Sequence, residues 1–171
     1  MFMNQPDATE FEAKVKVGAH ATSGGGESFT GDVMVNVPVI EDVLALRAVF
    51  SVDDLGGWID RIPASLDIAN KPKDPSSLSQ VEFNNRFLDS QIEQDANSQH
   101  SRNGRISIKY TPNDKLTVQP TVMYQQREAA NDDTYHRNLL TQFGQEHTTI
   151  KFIQTPRTEN FMMSKLDVSY D

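Results

Sequence analysis

The segment "VMVNVPVIEDVLALRAVF", Val33 to Phe50, constrains the fold more than any other part of the chain. Val33, Val35, Val37 and Val39 alternate with Met34, Asn36, Pro38 and Ile40. After "IED", Leu44, Leu46, Ala48 and Phe50 alternate with Ala45, Arg47, Val49 and Ser51. Side chains alternate faces only in an extended chain, so a period of two reads as strand, tight turn, strand. One face of this hairpin is apolar and the other carries Asn36, Arg47 and Ser51.

The same period recurs. Phe11, Ala13, Val15, Val17 and Ala19 alternate with Glu12, Lys14, Lys16 and Gly18. Ile106, Ile108 and Tyr110 alternate with Arg105, Ser107 and Lys109. Leu116, Val118, Pro120, Val122 and Tyr124 form a fifth series, and Met162, Ser164, Leu166, Val168 and Tyr170 a sixth. The pattern predicts an all-β chain with an antiparallel up-and-down meander of about six strands. "FNNRFLDSQIEQ", Phe83 to Gln94, is a weak helix candidate. Pro120 lacks a ladder donor, so it is expected at a bulge or a non-bonded position.

Connections alternate in length. "SGGGES" closes the first hairpin, and "IED" and "TPNDK" are tight turns with Asp, Asn or Pro in turn roles. Residues 60–103 and 128–159 are long and polar. Structureless loops of that length are uncommon in compact domains. In a meander alternate connections share an end, so the long loops are expected together at one end. The turns at Glu41–Asp42 and Asn113–Asp114 are expected at the other.

Two architectures fit this pattern. In a transmembrane β-barrel wall, the apolar face meets lipid and the polar face meets the lumen, with short turns on one side and long loops on the other. In a soluble antiparallel sandwich, one face packs and the other is solvated. Hydrophobic residues make up 37% of the 171 residues, a lean core for the second architecture and no obstacle to the first. Phe50, Trp58, Tyr110, Tyr124 and Tyr170 stand near strand ends, where a barrel carries its aromatic girdles.

The net charge of −8 argues against a nucleic-acid partner. With no cysteine, a disulfide scaffold and a thiolate metal site are excluded. "MFMNQPD" has neither a basic n-region nor an apolar h-region, so no signal peptide is expected in this chain, which leaves its compartment open. His20, His100, His136 and His147 form no HExxH pattern or close pair, and read as solvated residues rather than metal ligands. "SGGGES" lacks the Lys-Ser/Thr of a phosphate loop, "DDTYHRN" does not match an EF-hand, and no GxSxG elbow occurs. No catalytic, metal or cofactor-binding residue is therefore expected, and the chain reads as no enzyme. Arg47 and Arg105 read as inward-facing charges, available to a lumen partner.

The order of the motifs resembles the early barrel of TonB-dependent outer-membrane receptors. The matching residues are Pro6-Asp7, then Asn36-Val37-Pro38, Leu44-Ala45-Leu46-Arg47, Gly56-Gly57-Trp58-Ile59-Asp60, Gly104-Arg105, and Pro112-Asn113-Asp114-Lys115-Leu116. The terminal "FMMSKLDVSYD" is similar to the next descending strand. The resemblance implies residues 1–10 as the junction from a plug domain, residues 60–103 and 128–159 as extracellular loops, and the outer membrane of a Gram-negative bacterium as location. It implies lipid, a plug domain, TonB and a small nutrient such as a siderophore as partners of an intact receptor. Such receptors close about 22 strands around a plug. The chain lacks the plug and the energy-coupling box, and is expected to be a fragment that does not transport alone. A soluble β-rich module that binds ligand on its long loops is the alternative.

Overall fold

The computed structural model of the chain describes residues 4–63, 79, 92–137, 146–151 and 153–170. The strands are β1 (Glu12–Ala21), β2 (Glu27–Ile40), β3 (Leu44–Leu55), β4 (Asp60–Pro63), β5 (Gln99–Asn113), β6 (Leu116–Ala129), β7 (Thr148–Lys151) and β8 (Arg157–Tyr170). Six of them form an antiparallel sheet in the order β1-β2-β3-β5-β6-β8, the meander that the alternation predicts. The sheet is open, with β1 and β8 as its edges.

Registry is set by the turns. Between β2 and β3 the amide of Val43 donates to the carbonyl of Ile40 at 3.1 Å, and Asp42 takes a positive φ of 60°. Aspartate tolerates that left-handed conformation, which suits the "IED" turn. Between β5 and β6 the Asn113 side chain accepts from the amides of Lys115 and Leu116. These two turns lie at one end of the sheet. The connections of residues 56–98 and 130–156 leave from the other, together with the glycine-rich tip between β1 and β2.

Directly opposed residues in an antiparallel pair share a face. One row runs Val15, Val33, Phe50, Gly104, Tyr124, Met162. The next runs Ala13, Val35, Ala48, Ile106, Val122, Ser164. A third contains Leu44, Tyr110, Val118 and Val168. All the apolar series therefore fall on one continuous face. Val33, Phe50, Ile106, Ile108 and Val122 are exposed; Val35, Val37, Leu44, Leu46, Ala48 and Val118 are half-buried by their neighbours. None of the eleven is buried.

The opposite face is the more covered one and is mostly polar, with Met34 and Ala45 as its buried apolar residues. Asn36, Arg47, Ser107 and Thr121 are buried there. Thr121 donates to Ser107 at 3.0 Å, and Asn103 to Ser51 at 3.1 Å. Asn36 clamps the segment before β1: its amide donates to the carbonyls of Asp7 and Glu10, and its oxygen accepts from the Asp7 amide. Arg47 reaches Glu12 at 3.5 Å, while its Nε is buried without a partner. Arg47 and Arg105 both lie on this polar face, as their places in the alternation require.

Three expectations need correction. The long connections are shorter than 60–103 and 128–159: β5 starts at Gln99, β6 runs to Ala129 and β8 starts at Arg157. These strand extensions carry polar residues on both faces, so alternation of hydrophobicity cannot reveal them; the backbone ladder continues regardless. The connections are also not structureless where described, since β4 and β7 pair in parallel, from Asp60 with Thr148 to Pro63 with Lys151. Trp58 does not join the outward girdle but packs within the loops. The helix candidate at Phe83–Gln94 lies outside the described residues up to Gln91. Pro120 causes no register shift: Ser107 pairs with Thr121 and Tyr110 with Val118, and the bulge lies between Tyr110 and Asn113. The ladder to β5 skips the positions around Pro120, whereas the ladder to β8 continues through it, so its missing donor falls on the β5 side.

Asn36→Ala removes three hydrogen bonds to the backbone of Asp7 and Glu10, each worth about 0.5–1.5 kcal/mol net. The segment Asp7–Glu10 should detach, with fast amide exchange at Asp7, while the β2–β3 ladder keeps its protection. Unchanged exchange at Asp7 would show that Asn36 does not hold the segment.

Candidate functional site

The long-loop end brings the most polar side chains into defined contact. Its base is the Gly56-Gly57 step after β3. A Cβ on Gly57 would lie 2.0 Å from the Asp95 carbonyl oxygen, and one on Gly56 would lie 2.5 Å from that of Glu27. Only glycine lets the two ends of the first connection and the first hairpin approach so closely. The Gly57 carbonyl accepts from the Gly26 amide at 2.7 Å, and the Ser28 hydroxyl accepts from the Gly56 amide at 3.0 Å. This fixes the direction in which the loop leaves the sheet.

Asn97 joins the two connections. Its oxygen accepts from the amides of Trp58 at 2.8 Å and Ile59 at 2.9 Å, and its Nδ2 donates to Asp133 at 2.9 Å. Asp133 also receives Gln99, whose oxygen accepts from Arg127. Arg61 pairs with Glu93 at 2.7 Å, and Gln154 donates to the same carboxylate at 3.1 Å. Ile59 and Ile62 are fully buried, the small apolar heart of this unit. Trp58, Tyr135 and His147 meet edge to face, with ring centroids 5.1–5.9 Å apart. Two connections distant in sequence thus form one packed unit over the rim of the sheet.

Its carboxylates sit in contrasting environments. Hydrogen bonds from Lys151 and Thr134 hold Asp132 down at about 2. Hydrogen bonds from Arg61 and then Gln154 lower Glu93. Asp95 is raised, first by burial and then by the neighbouring Asp60 carboxylate. A small polar hollow of about 150 Å³ lies beside the unit, between Arg127, Asn131, Asp132 and Arg157.

The sequence-level candidates fall as follows. His20 is exposed on β1. His100 lies on the outward face of β5, 2.9 Å from Asp54. The Nδ1 of His136 accepts from the Ile150 amide at 3.3 Å, and His147 belongs to the aromatic cluster. No three His, Cys, Asp or Glu side chains come together in metal-binding geometry among the described residues. "SGGGES" is a hairpin tip with Gly24 at φ 71°. "DDTYHRN" is exposed throughout its described residues, 132–137, and from there Asp132, Asp133, Tyr135 and His136 contact the loop unit. Asn97 had no sequence signal, because its partners are 36 to 39 positions away.

No protein-family model, curated protein or solved structure matches the chain.

Asn97→Ala leaves the amides of Trp58 and Ile59 unpaired, at about 1–3 kcal/mol each. Hydrogen exchange at both should quicken by tenfold or more, and the aromatic cluster should loosen with it; unchanged protection would refute the joint role of Asn97. The Asp132 carboxylate has a depressed folded-state value, so its contribution is present above the ordinary carboxylate range and is lost as pH falls toward about 2. Acid titration should release Lys151 from Asp132 in that window. Asp132→Asn should abolish the step; a step that persists in this variant belongs to another group.

Proposed function

We propose that this chain forms part of the barrel wall of a TonB-dependent outer-membrane transporter. The observation that carries this reading is the inversion of the sheet: its apolar face is uncovered and its covered face is polar. On the outward face, no charged side chain occurs between the row of Val33 and Phe50 and the row of Leu44 and Tyr110. Charges return toward the loops, at Glu27, Asp54, Arg102 and Glu128. Outward Phe50 and Tyr124 stand at the loop side of this band, and Tyr110 and Tyr170 at the turn side.

The dimensions agree with a bilayer. From Met162 to Tyr170, β8 covers about 27 Å at ~3.4 Å per residue. A barrel-like tilt of about 40° reduces this to about 21 Å, beside an apolar belt of about 25 Å in outer-membrane barrels. The free edges of β1 and β8 call for further strands, because unpaired backbone in hydrocarbon costs several kcal/mol per group. On this reading the polar face lines the lumen, where a plug domain sits, and the segment held by Asn36 is its junction with the wall. The loop unit faces outward and samples a small nutrient, imported with energy relayed through TonB. The transporter assignment rests on the motif order, and the membrane assignment on the inverted sheet.

Ile106→Lys tests the membrane assignment. Ile106 is 55% exposed, so in a soluble module the change should alter stability by no more than ~0.5 kcal/mol. In a bilayer, one row inside the Phe50 and Tyr124 girdle, it should cost about 1–3 kcal/mol. Reversible unfolding from lipid bilayers measures the difference. A neutral effect, with a protein soluble without detergent, would favour the loop-binding soluble module.

A further inference from the structure

We propose that the outward face carries a site for one phosphorylated membrane lipid, with its acyl chain at Gly104 and its phosphate at Arg102. The inference rests on the wall reading and adds a specific ligand to it. In the row Val33, Phe50, Gly104, Tyr124, the glycine leaves a gap between two rings. The gap opens an apolar hollow of about 400 Å³, lined among others by Val33, Phe50, Ile106, Val122 and Tyr124. A Cβ on Gly104 would meet nothing within 4 Å, so the space is open to an occupant. Tyr124 is steadied at its edge by a 3.0 Å hydrogen bond to Asn160. A hydrocarbon chain fits an open apolar hollow in a lipid-facing surface, where no water competes for it.

Arg102 stands two residues toward the loops on the same face of β5, about 7 Å from Gly104 along the strand. It is the one lysine or arginine on the outward face of the six-stranded sheet. It has no ion pair or hydrogen-bonded side-chain partner among the described residues, while its acidic neighbours are engaged. Asp54 pairs with His100 at 2.9 Å, and Glu128 accepts from Gln126 at 3.1 Å. Those carboxylates bound the site on its loop side and leave the membrane side of the guanidinium to the ligand. A planar guanidinium binds phosphate through two parallel hydrogen bonds. Chain and phosphate are thus received at the heights at which a lipid presents them.

Photocrosslinking of the full chain in neutral-detergent mixed micelles tests the site. Two probes carry the same photoactivatable acyl chain, one on phosphatidylglycerol and one on diacylglycerol, which lacks phosphate. The phosphatidylglycerol probe should label residues 104–106 and 122–124 about fivefold more than diacylglycerol, the factor contributed by one basic residue at a membrane surface. Arg102→Gln should erase that preference, and Gly104→Leu, which fills the hollow, should lower labelling by both probes there. Equal labelling by the two probes, or a preference that survives Arg102→Gln, would overturn the site and leave Arg102 a rim charge. Absence of labelling anywhere on the outward face would overturn the wall reading itself.

Discussion

The backbone ladder of the six-stranded meander carries the rest of the structure. It runs from β1 to β8 with register shifts beside Pro38 and after Tyr110 and a gap in the β5–β6 pairing around Pro120. The sheet has little else to rely on. Among the described residues the buried hydrophobic side chains are Met34, Ala45, Ile59 and Ile62, and two of these belong to the loops rather than the sheet. A packed apolar core normally supplies the dominant favourable term in folding. Here the corresponding area lies on the uncovered face, which the proposed wall reading would set against hydrocarbon rather than water.

That inversion explains how the polar face is built. Buried polar groups are tolerated when they are hydrogen-bonded, and the pairs Ser107–Thr121 and Asn103–Ser51 meet this condition across neighbouring strands. Asn36 does so for a segment that has no ladder of its own. Arg47 is less completely served, since its Nε has no partner and Glu12 is shared with Lys14. In the proposed barrel, a lumen partner that presents an acceptor would complete it.

The loop unit is held by different physics from the sheet. It rests on close backbone approach at Gly56-Gly57, on side-chain amides that bind distant backbone, and on ring packing around Trp58. Its carboxylates are paired with Arg61 and Lys151. Trp58 lies just past the strand end, which is why its sequence position fits a girdle residue. The close approach of Gly57 to Asp95 turns the chain back over the rim and takes the ring with it.

Within the sheet, sequence alone determined the strands, their order and their apolar face. A period of two leaves each side chain no choice of side, and turn residues such as Asp42 and Asn113 act on neighbours in the chain. The extensions of β5, β6 and β8 were invisible because both of their faces are polar, and a ladder of backbone groups has no side-chain signature. The parallel pairing of β4 with β7, the clamp by Asn97 and the cluster of Trp58 with Tyr135 and His147 were decided by tertiary structure alone. Each joins residues dozens of positions apart, and their meeting depends on loop closure, which no local pattern encodes. The hollow at Gly104 belongs with them: a glycine in a strand is legible, but the rings that flank it are set by the register of three strands.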